Sequence, residues 1–249
     1  MIHIQDLHKS FDGNEVFRGV SLEIPKGFVL ALVGRSGCGQ SVLLKHVAGL
    51  MKPNRGRVLV EDKDMGKAGG RALAGVRERL GFLFQGGALF DSLNVFENVA
   101  FPLREKTRLS RHVIQSRVLE ELENVGLSGS EYKFPSQISG GMVKRAALAR
   151  SLVADPEIML FDEPTTGLDP VTGRAIIELI DSCRQRLHFT GIIVTHDLAQ
   201  VFNIVDRVAM LHEGLMRFEG TPSEILASED SVVREFVDAE GGMHEKAGP

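Results

Sequence analysis

The chain reads as an α/β protein with a largely parallel sheet, and three stretches carry that reading. From residue 157 onward strand-length apolar runs alternate with helical patterns: Glu157 to Phe161, Val171 to Arg186, Gly191 to Thr195, Leu198 to Asn203 and Val208 to Leu211. Crossover helices between successive strands make those strands parallel. Phe28 to Val33 is an apolar run that passes through a glycine-rich turn into another helical pattern, Ser41 to Leu50. Between these, helical patterns at about 110–125 and about 140–154 form a helical insert.

Taken in order, residues 2–33 alternate short β-like runs with turns: Ile2 to Leu7, Val16 to Ile24, then Phe28 to Val33. Asp12-Gly13-Asn14 is a hairpin signal. Phe11, just before it, suits either a core position or stacking on a purine. Lys52-Pro53-Asn54-Arg55-Gly56 breaks the chain before a strand at Arg57 to Val60, and residues 61–79 are charged, with a short helix near Arg71 to Arg77. Leu80 to Gln85 is a strand that ends on a polar residue, and Val95 to Leu103 is helix-like. Phe134-Pro135-Ser136 turns between the insert's two helices. Thr221 and Glu224 form a capping box that opens a further helix. The tail 241–249 is polar and expected to be mobile.

Composition narrows the function. The chain has 249 residues, 43% hydrophobic and 25% charged, and a net charge of −4. No global basic field points to nucleic acid. The apolar runs are strand-sized, well short of the roughly 20 residues of a membrane helix, and no secretory signal opens the sequence. Two cysteines, Cys38 and Cys183, make no disulfide framework and suit a reducing compartment.

Gly34-Arg35-Ser36-Gly37-Cys38-Gly39-Gln40-Ser41 has the frame of a phosphate-binding loop, with Gln40 where the pattern asks for lysine. A glycine-rich turn between strand and helix lets main-chain N–H groups curl around a phosphate, and the helix N-terminus adds positive potential. Cys38 sits where a thiol pKa can fall, although no base accompanies it. Glu157 to Phe161 leads into Asp162 and Glu163, two carboxylates at the strand end where open α/β sheets bind ligands. Asp162 suits a Mg²⁺ ion held through water, and Glu163 suits polarising an attacking water. Ser139-Gly140-Gly141-Met142 opens a helix with a hydroxyl and close N–H groups. His196, in Thr195-His196-Asp197, follows a strand and is placed to meet a phosphate.

In this order the motifs resemble the nucleotide-binding subunit of ATP-binding cassette (ABC) transporters over almost the whole chain. The resemblance implies a P-loop NTPase cassette over residues 1–240, with a RecA-like core, an antiparallel β subdomain and a helical signature subdomain inserted at about 86–155. It implies ATP and Mg²⁺ as cofactors. Phe11 then stacks on adenine, and Gly34, Arg35, Ser36, Gly37, Cys38, Gly39, Gln40, Ser41 and Val42 surround the phosphates. Gln85 is the Q-loop residue; Ser139, Gly140 and Gly141 are the signature; Asp169 belongs to the D-loop. Ser41, Gln85 and Asp162 are the metal donors, and Glu163 and His196 the catalytic pair. The family works as a head-to-tail dimer with ATP at the interface, which fits one loop and one signature per chain.

Gly87 to Val99, continuing to Phe101-Pro102-Leu103-Arg104-Glu105, resembles the ATPases of Mla and Mce phospholipid-transport systems, including those described as toluene-tolerance proteins. The resemblance implies a peripheral subunit on the cytoplasmic face of the inner membrane. It implies a permease docked near residues 85–104, and further lipid-transport subunits.

Lysine at position 40 would neutralise charge on the β- and γ-phosphates as it builds. Losing one preorganised electrostatic contact costs about 3–4 kcal/mol, roughly 100- to 1,000-fold in rate. The expectation is slow hydrolysis on an intact fold, with Arg35 as a partial substitute. A nucleotide-binding regulatory subunit stays open on the same residue, as does an ABC ATPase for another substrate. An ABC ATPase that handles nucleic acid would need two cassettes or a long coiled-coil insertion, and neither is visible.

Overall fold

Asp12 and Gly13 both take positive φ, 47° and 86°, so the first strand folds straight back on the second. The computed structural model describes residues 1–240; the tail 241–249, expected above to be mobile, lies outside the described residues. In chain order the elements are β1 (Ile2–Phe11), β2 (Asn14–Ile24), β3 (Val29–Val33), α1 (Gln40–Val47), β4 (Arg55–Val60), β5 (Lys63–Asp64), α2 (Gly70–Glu78) and β6 (Leu80–Leu83). Then come α3 (Val95–Lys106), α4 (Arg111–Asn124), a 3₁₀ turn (Pro135–Gln137), α5 (Gly140–Leu152), β7 (Ile158–Asp162) and α6 (Pro170–Leu187). The chain closes with β8 (Thr190–Val194), α7 (Leu198–Val201), β9 (Arg207–His212), β10 (Leu215–Gly220), α8 (Pro222–Leu226) and α9 (Ser231–Glu240).

Two compact units divide the chain: Met1–Val76 with the segment from Phe189 onward, and Arg77–His188. The first holds an antiparallel sheet in the order β2-β1-β4-β5 and a run of strands β10-β9-β3-β8. β3 is parallel to β8 on one side and to β9 on the other, Leu32 facing Val194 and Ala209. All five β3 residues are buried, which is why its sequence is a continuous apolar run instead of an alternating one. α1 stops earlier than its pattern predicts. Ala48 caps it and Gly49 follows at φ 64°, a left-handed exit that ends a helix cheaply only at glycine.

In the second unit β6 and β7 run parallel, Leu83 opposite Phe161. Its helices close on one apolar cluster: Val95, Val99 and Leu103 of α3, Val118 and Leu122 of α4, Ala146 and Ala149 of α5. Buried Asn98 is fully used. Its Oδ1 accepts from Phe90 N at 2.8 Å, and its Nδ2 donates to the carbonyls of Phe90, Leu93 and Asn94 at 2.9–3.1 Å. One side chain thus pins the loop ahead of α3 to the helix, as burial of an amide demands.

Candidate functional site

In the first unit, the loop Gly34–Gly39 leaves the C-terminal end of β3 and feeds α1. Gly34, at φ 152°, has no room for a side chain: a Cβ would lie 2.4 Å from Leu211 O and 2.7 Å from Cys38 Sγ. Gly39, at φ 104°, is pressed by Val16 and Phe17 of β2, 2.6 and 2.9 Å from a built Cβ. These two glycines set the loop's course. At the start of α1, Gly39 supplies no capping side chain and the first turn carries no acid. An uncapped, acid-free helix start under a tight glycine loop fits an anionic phosphate.

Gln40 is buried, and its Nε2 donates to Leu32 O, the strand carbonyl beneath the loop, at 3.1 Å. Arg35 points outward, its Nη2 2.6 Å from Glu235 Oε1 on α9. The cation read above as a partial substitute for lysine is therefore already paired. Burial pushes the Cys38 thiol up, against two weaker hydrogen-bond effects. The helix start, where a thiol pKa can fall, lies close by, but loss of solvent dominates, which fits Cys38 as a small residue filling the turn. Ser36 and Gly37 are exposed, and Ser41 and Val42 half-buried on α1.

His196 lies just past β8, the parallel neighbour of β3, so it leaves the same edge of these strands as the loop. Asp197 N donates to Thr195 Oγ1 at 3.0 Å, and Asp197 in turn caps α7. This tight turn presents His196 to solvent. Phe11 ends β1 with 40% exposure, the Lys9 ammonium 5.0 Å from its ring centre. That exposure removes the core alternative.

The second unit gathers Gln85 and Glu163, because both follow the same ends of the parallel pair β6 and β7. Glu163 takes a left-handed backbone, φ 46°, uncommon for a residue other than glycine. Its Oε2 accepts from Gln85 Nε2 and from Thr166 Oγ1, each at 2.7 Å. Asp162 is buried at the end of β7. Ser139 caps α5, its Oγ accepting from Met142 N at 3.3 Å, which leaves the hydroxyl hydrogen free to donate. Asp169 caps α6 by accepting from Val171 N and Thr172 N. Hydrogen bonds from Thr172, side chain and main chain, hold its carboxyl below the usual range. Gly141 lies against α6, where a Cβ would meet Thr172 Cγ2 at 2.8 Å.

Sequence reasoning missed Thr166 and Lys144. Lys144 was detectable, since four and eight residues on along α5 its face carries Leu148 and Leu152, both buried.

The family model described as "ABC transporter" matches residues 17–166. This chain belongs to that family of ATP-hydrolysing cassettes. It is 39% identical over 240 residues to the intermembrane phospholipid transport system ATP-binding protein MlaF of Haemophilus influenzae, covering 96% of this chain and 91% of that one. It is 43% identical over 236 residues to the probable ribonucleotide transport ATP-binding protein mkl of Mycobacterium leprae, covering 95% of this chain and 68% of that one. Among solved structures, the dimeric ATP-binding cassette MJ0796, in a post-hydrolysis state bound to ADP and Pi, superposes with a TM-score of 0.82 at 30% identity. That match covers 89% of this chain and 99% of the other.

Proposed function

We propose that this chain is the ATP-binding subunit of an ABC transporter for phospholipid, hydrolysing ATP slowly because Gln40 replaces the loop lysine. The observation that carries the nucleotide reading is Glu163, a carboxylate fixed by Gln85 and Thr166 through one oxygen. Its Oε1 is left to accept a hydrogen bond from a water, so Glu163 serves as the base that polarises the nucleophile. Residues 1–240 act as one ATPase domain, with the helical subdomain at about 86–155.

Bound MgATP supplies the phosphoanhydride bond to be cleaved and the cation that neutralises its charge. Gly34 to Val42 hold the phosphates through main-chain N–H groups, and Phe11 covers the adenine. Ser41, Gln85 and Asp162 offer the oxygen donors that a hard cation prefers; Gln85 turns its nitrogen to Glu163, keeping its amide oxygen for the metal. His196 contacts the terminal phosphate. Ser139, Gly140 and Gly141 serve the nucleotide of a second copy in a head-to-tail dimer, with Asp169 beside them, as the dimeric form of the MJ0796 relative supports.

Among the described residues no helix is long and apolar enough to cross a membrane. A peripheral subunit therefore needs a docking surface, and the second unit offers one. A groove of about 340 Å³ is lined by Phe82, Phe84, Phe90, Phe101, Pro102 and Arg150, among others. Phe90 and Phe101 are 44% and 38% exposed. Such aromatics anchor an interface, here with an inner-membrane permease on its cytoplasmic side, in company with further lipid-transport subunits. The MlaF name supports phospholipid as cargo, and the mkl name makes a ribonucleotide the second reading. Reconstitution with the co-purifying permease tests the choice: ATP-dependent transfer of labelled phospholipid between vesicles supports the proposal, and transfer of a ribonucleotide alone overturns it.

A further inference from the structure

Helix α5 reaches well beyond its capped start. Lys144 lies one turn in, on the face it shares with buried Leu148 and Leu152, and is itself only 6% exposed. A buried ammonium persists only where its donors are used. Its Nζ donates to the main-chain oxygen of Gln85 and lies 3.5 Å from the main-chain oxygen of Glu163. These carbonyls follow the parallel neighbours β6 and β7, so one side chain ties together the two segments that leave that edge.

Two turns along the same helix, Arg150 donates to Gly87 O and Ala88 O, each at 2.7 Å. Val143 and Ala147 sit beneath Gly87, each 3.3 Å from where its Cβ would be. α5 therefore seats residues 85–88 through carbonyl contacts, and of the two cations Lys144 also reaches Glu163. Burial lowers the Lys144 pKa, while the charges of Glu163 and Asp162 act the other way. Glu163 holds a left-handed backbone that its neighbours must maintain. The neighbours in contact are Gln85, which donates to its carboxylate, Thr166, which bonds both its carboxylate and its carbonyl, and Lys144, which reaches its carbonyl.

We propose that Lys144 is a positioning residue for ATP hydrolysis: by holding the carbonyls of Gln85 and Glu163 together, it fixes the Glu163 carboxylate where a water can be polarised. The proposal rests on the reading of Glu163 as the base. It also makes the helix that opens with Ser139 the element that aligns the base of its own chain.

The test uses the full chain, and in parallel its Gln40→Lys form so that a low basal rate hides nothing. Lys144→Met keeps the stem and removes the donors. It is expected to lower kcat about 10- to 100-fold, the penalty of slight misplacement, with little change in KM for ATP. Amide exchange should quicken at residues 85–88 and 163–167 while the α5 interior keeps its protection, and Lys144→Arg should recover part of the rate. Unchanged kcat in Lys144→Met overturns the proposal. So does a fall in kcat accompanied by equal loss of α5 protection and Tm, which would mean mere support of the helix. Glu163→Gln separates the two levels: it should abolish turnover while retaining ATP binding, and full turnover there removes the underlying reading together with this one.

Discussion

Gln40 donates its side-chain amide to Leu32 O, 3.1 Å away, and so closes the base of the loop on the strand that precedes it. Leu32 O also accepts from Thr195 N at 3.4 Å, so the same carbonyl meets the segment that leads to His196. Glutamine at position 40 is thus bonded into the fold of the first unit. What glutamine lacks is charge, since a lysine ammonium has three donors and can serve a carbonyl and an anion together.

Gln40→Lys is therefore expected to raise ATP turnover roughly 100- to 1,000-fold, the usual worth of one preorganised electrostatic contact. Tm should change far less, because the bond to Leu32 O can be kept. Steady-state hydrolysis by both forms with their permease checks this, and equal rates would contradict the proposal that the missing charge limits turnover.

Arg35 is the single basic residue between Gly34 and Ser41, and Glu235 holds it 2.6 Å away. Both side chains are more than 60% exposed, so the pair contributes about 0–1 kcal/mol and yields easily. Glu235→Gln should leave stability nearly unchanged and tighten ATP binding at low salt, by removing an anion and freeing a cation. The gain should shrink as salt screens it. Equilibrium titration with ATP at two ionic strengths reads the effect, and identical affinities at low salt would contradict it.

The sequence made legible those parts of the fold where physics leaves few choices. β3 and β7 are buried on both faces, so they show as unbroken apolar runs. The helix after Thr221 carries its capping box in the order of its residues, and the box forms. β10 was missed because Leu215–Gly220 is half exposed, with Arg217 and Glu219 interrupting its apolar residues. α9 opens on a cap, Asp230, whose Oδ1 accepts from Val232 N and Val233 N, but no Glu or Gln stands at the third helical position to complete a box and mark the start, although Val233, Phe236 and Val237 form its buried stripe. At the candidate site, residue types could be read but engagements could not. Neither the Gln40 bond to Leu32, the Arg35 pair nor the burial of the Cys38 thiol follows from neighbours in sequence. Each depends on an element that tertiary packing brings in.

His46 is fully buried on α1, edge-on to Phe17 at 5.9 Å, with Nδ1 2.7 Å from Val42 O and no hydrogen-bond partner at Nε2. Burial, aided by the charge of Lys9, lowers its pKa from 6.5, and the Val42 carbonyl opposes that only in part. Below the unfolded value the unfolded chain binds the proton more readily, so acid favours unfolding. The stability contributed by neutral His46 is complete above about 6.5 and is lost as pH falls from there through the lowered folded value. Thermal unfolding between pH 8 and pH 5 should show a smaller acid loss of Tm in His46→Leu than in the parent, and equal losses would place the sensitivity elsewhere.

The groove in the second unit makes a prediction independent of chemistry at the phosphates. Phe90 and Phe101 meet at 4.9 Å between ring centres, and the Arg150 guanidinium lies 5.9 Å from the Phe90 ring. Phe101 is 38% exposed on α3, so a polar residue there opens no core cavity, and exposed substitutions are usually mild in stability. As an anchor, however, an aromatic at the centre of an interface is worth about 2 kcal/mol or more, near 30-fold in affinity. Phe101→Asp should abolish recovery of the permease from detergent-solubilised membranes while leaving ATP binding by the isolated chain intact. Leu226→Asp, at a residue 47% exposed in the other unit, provides the control and should recover the permease normally. Retention of the permease by Phe101→Asp would move the docking surface away from this groove.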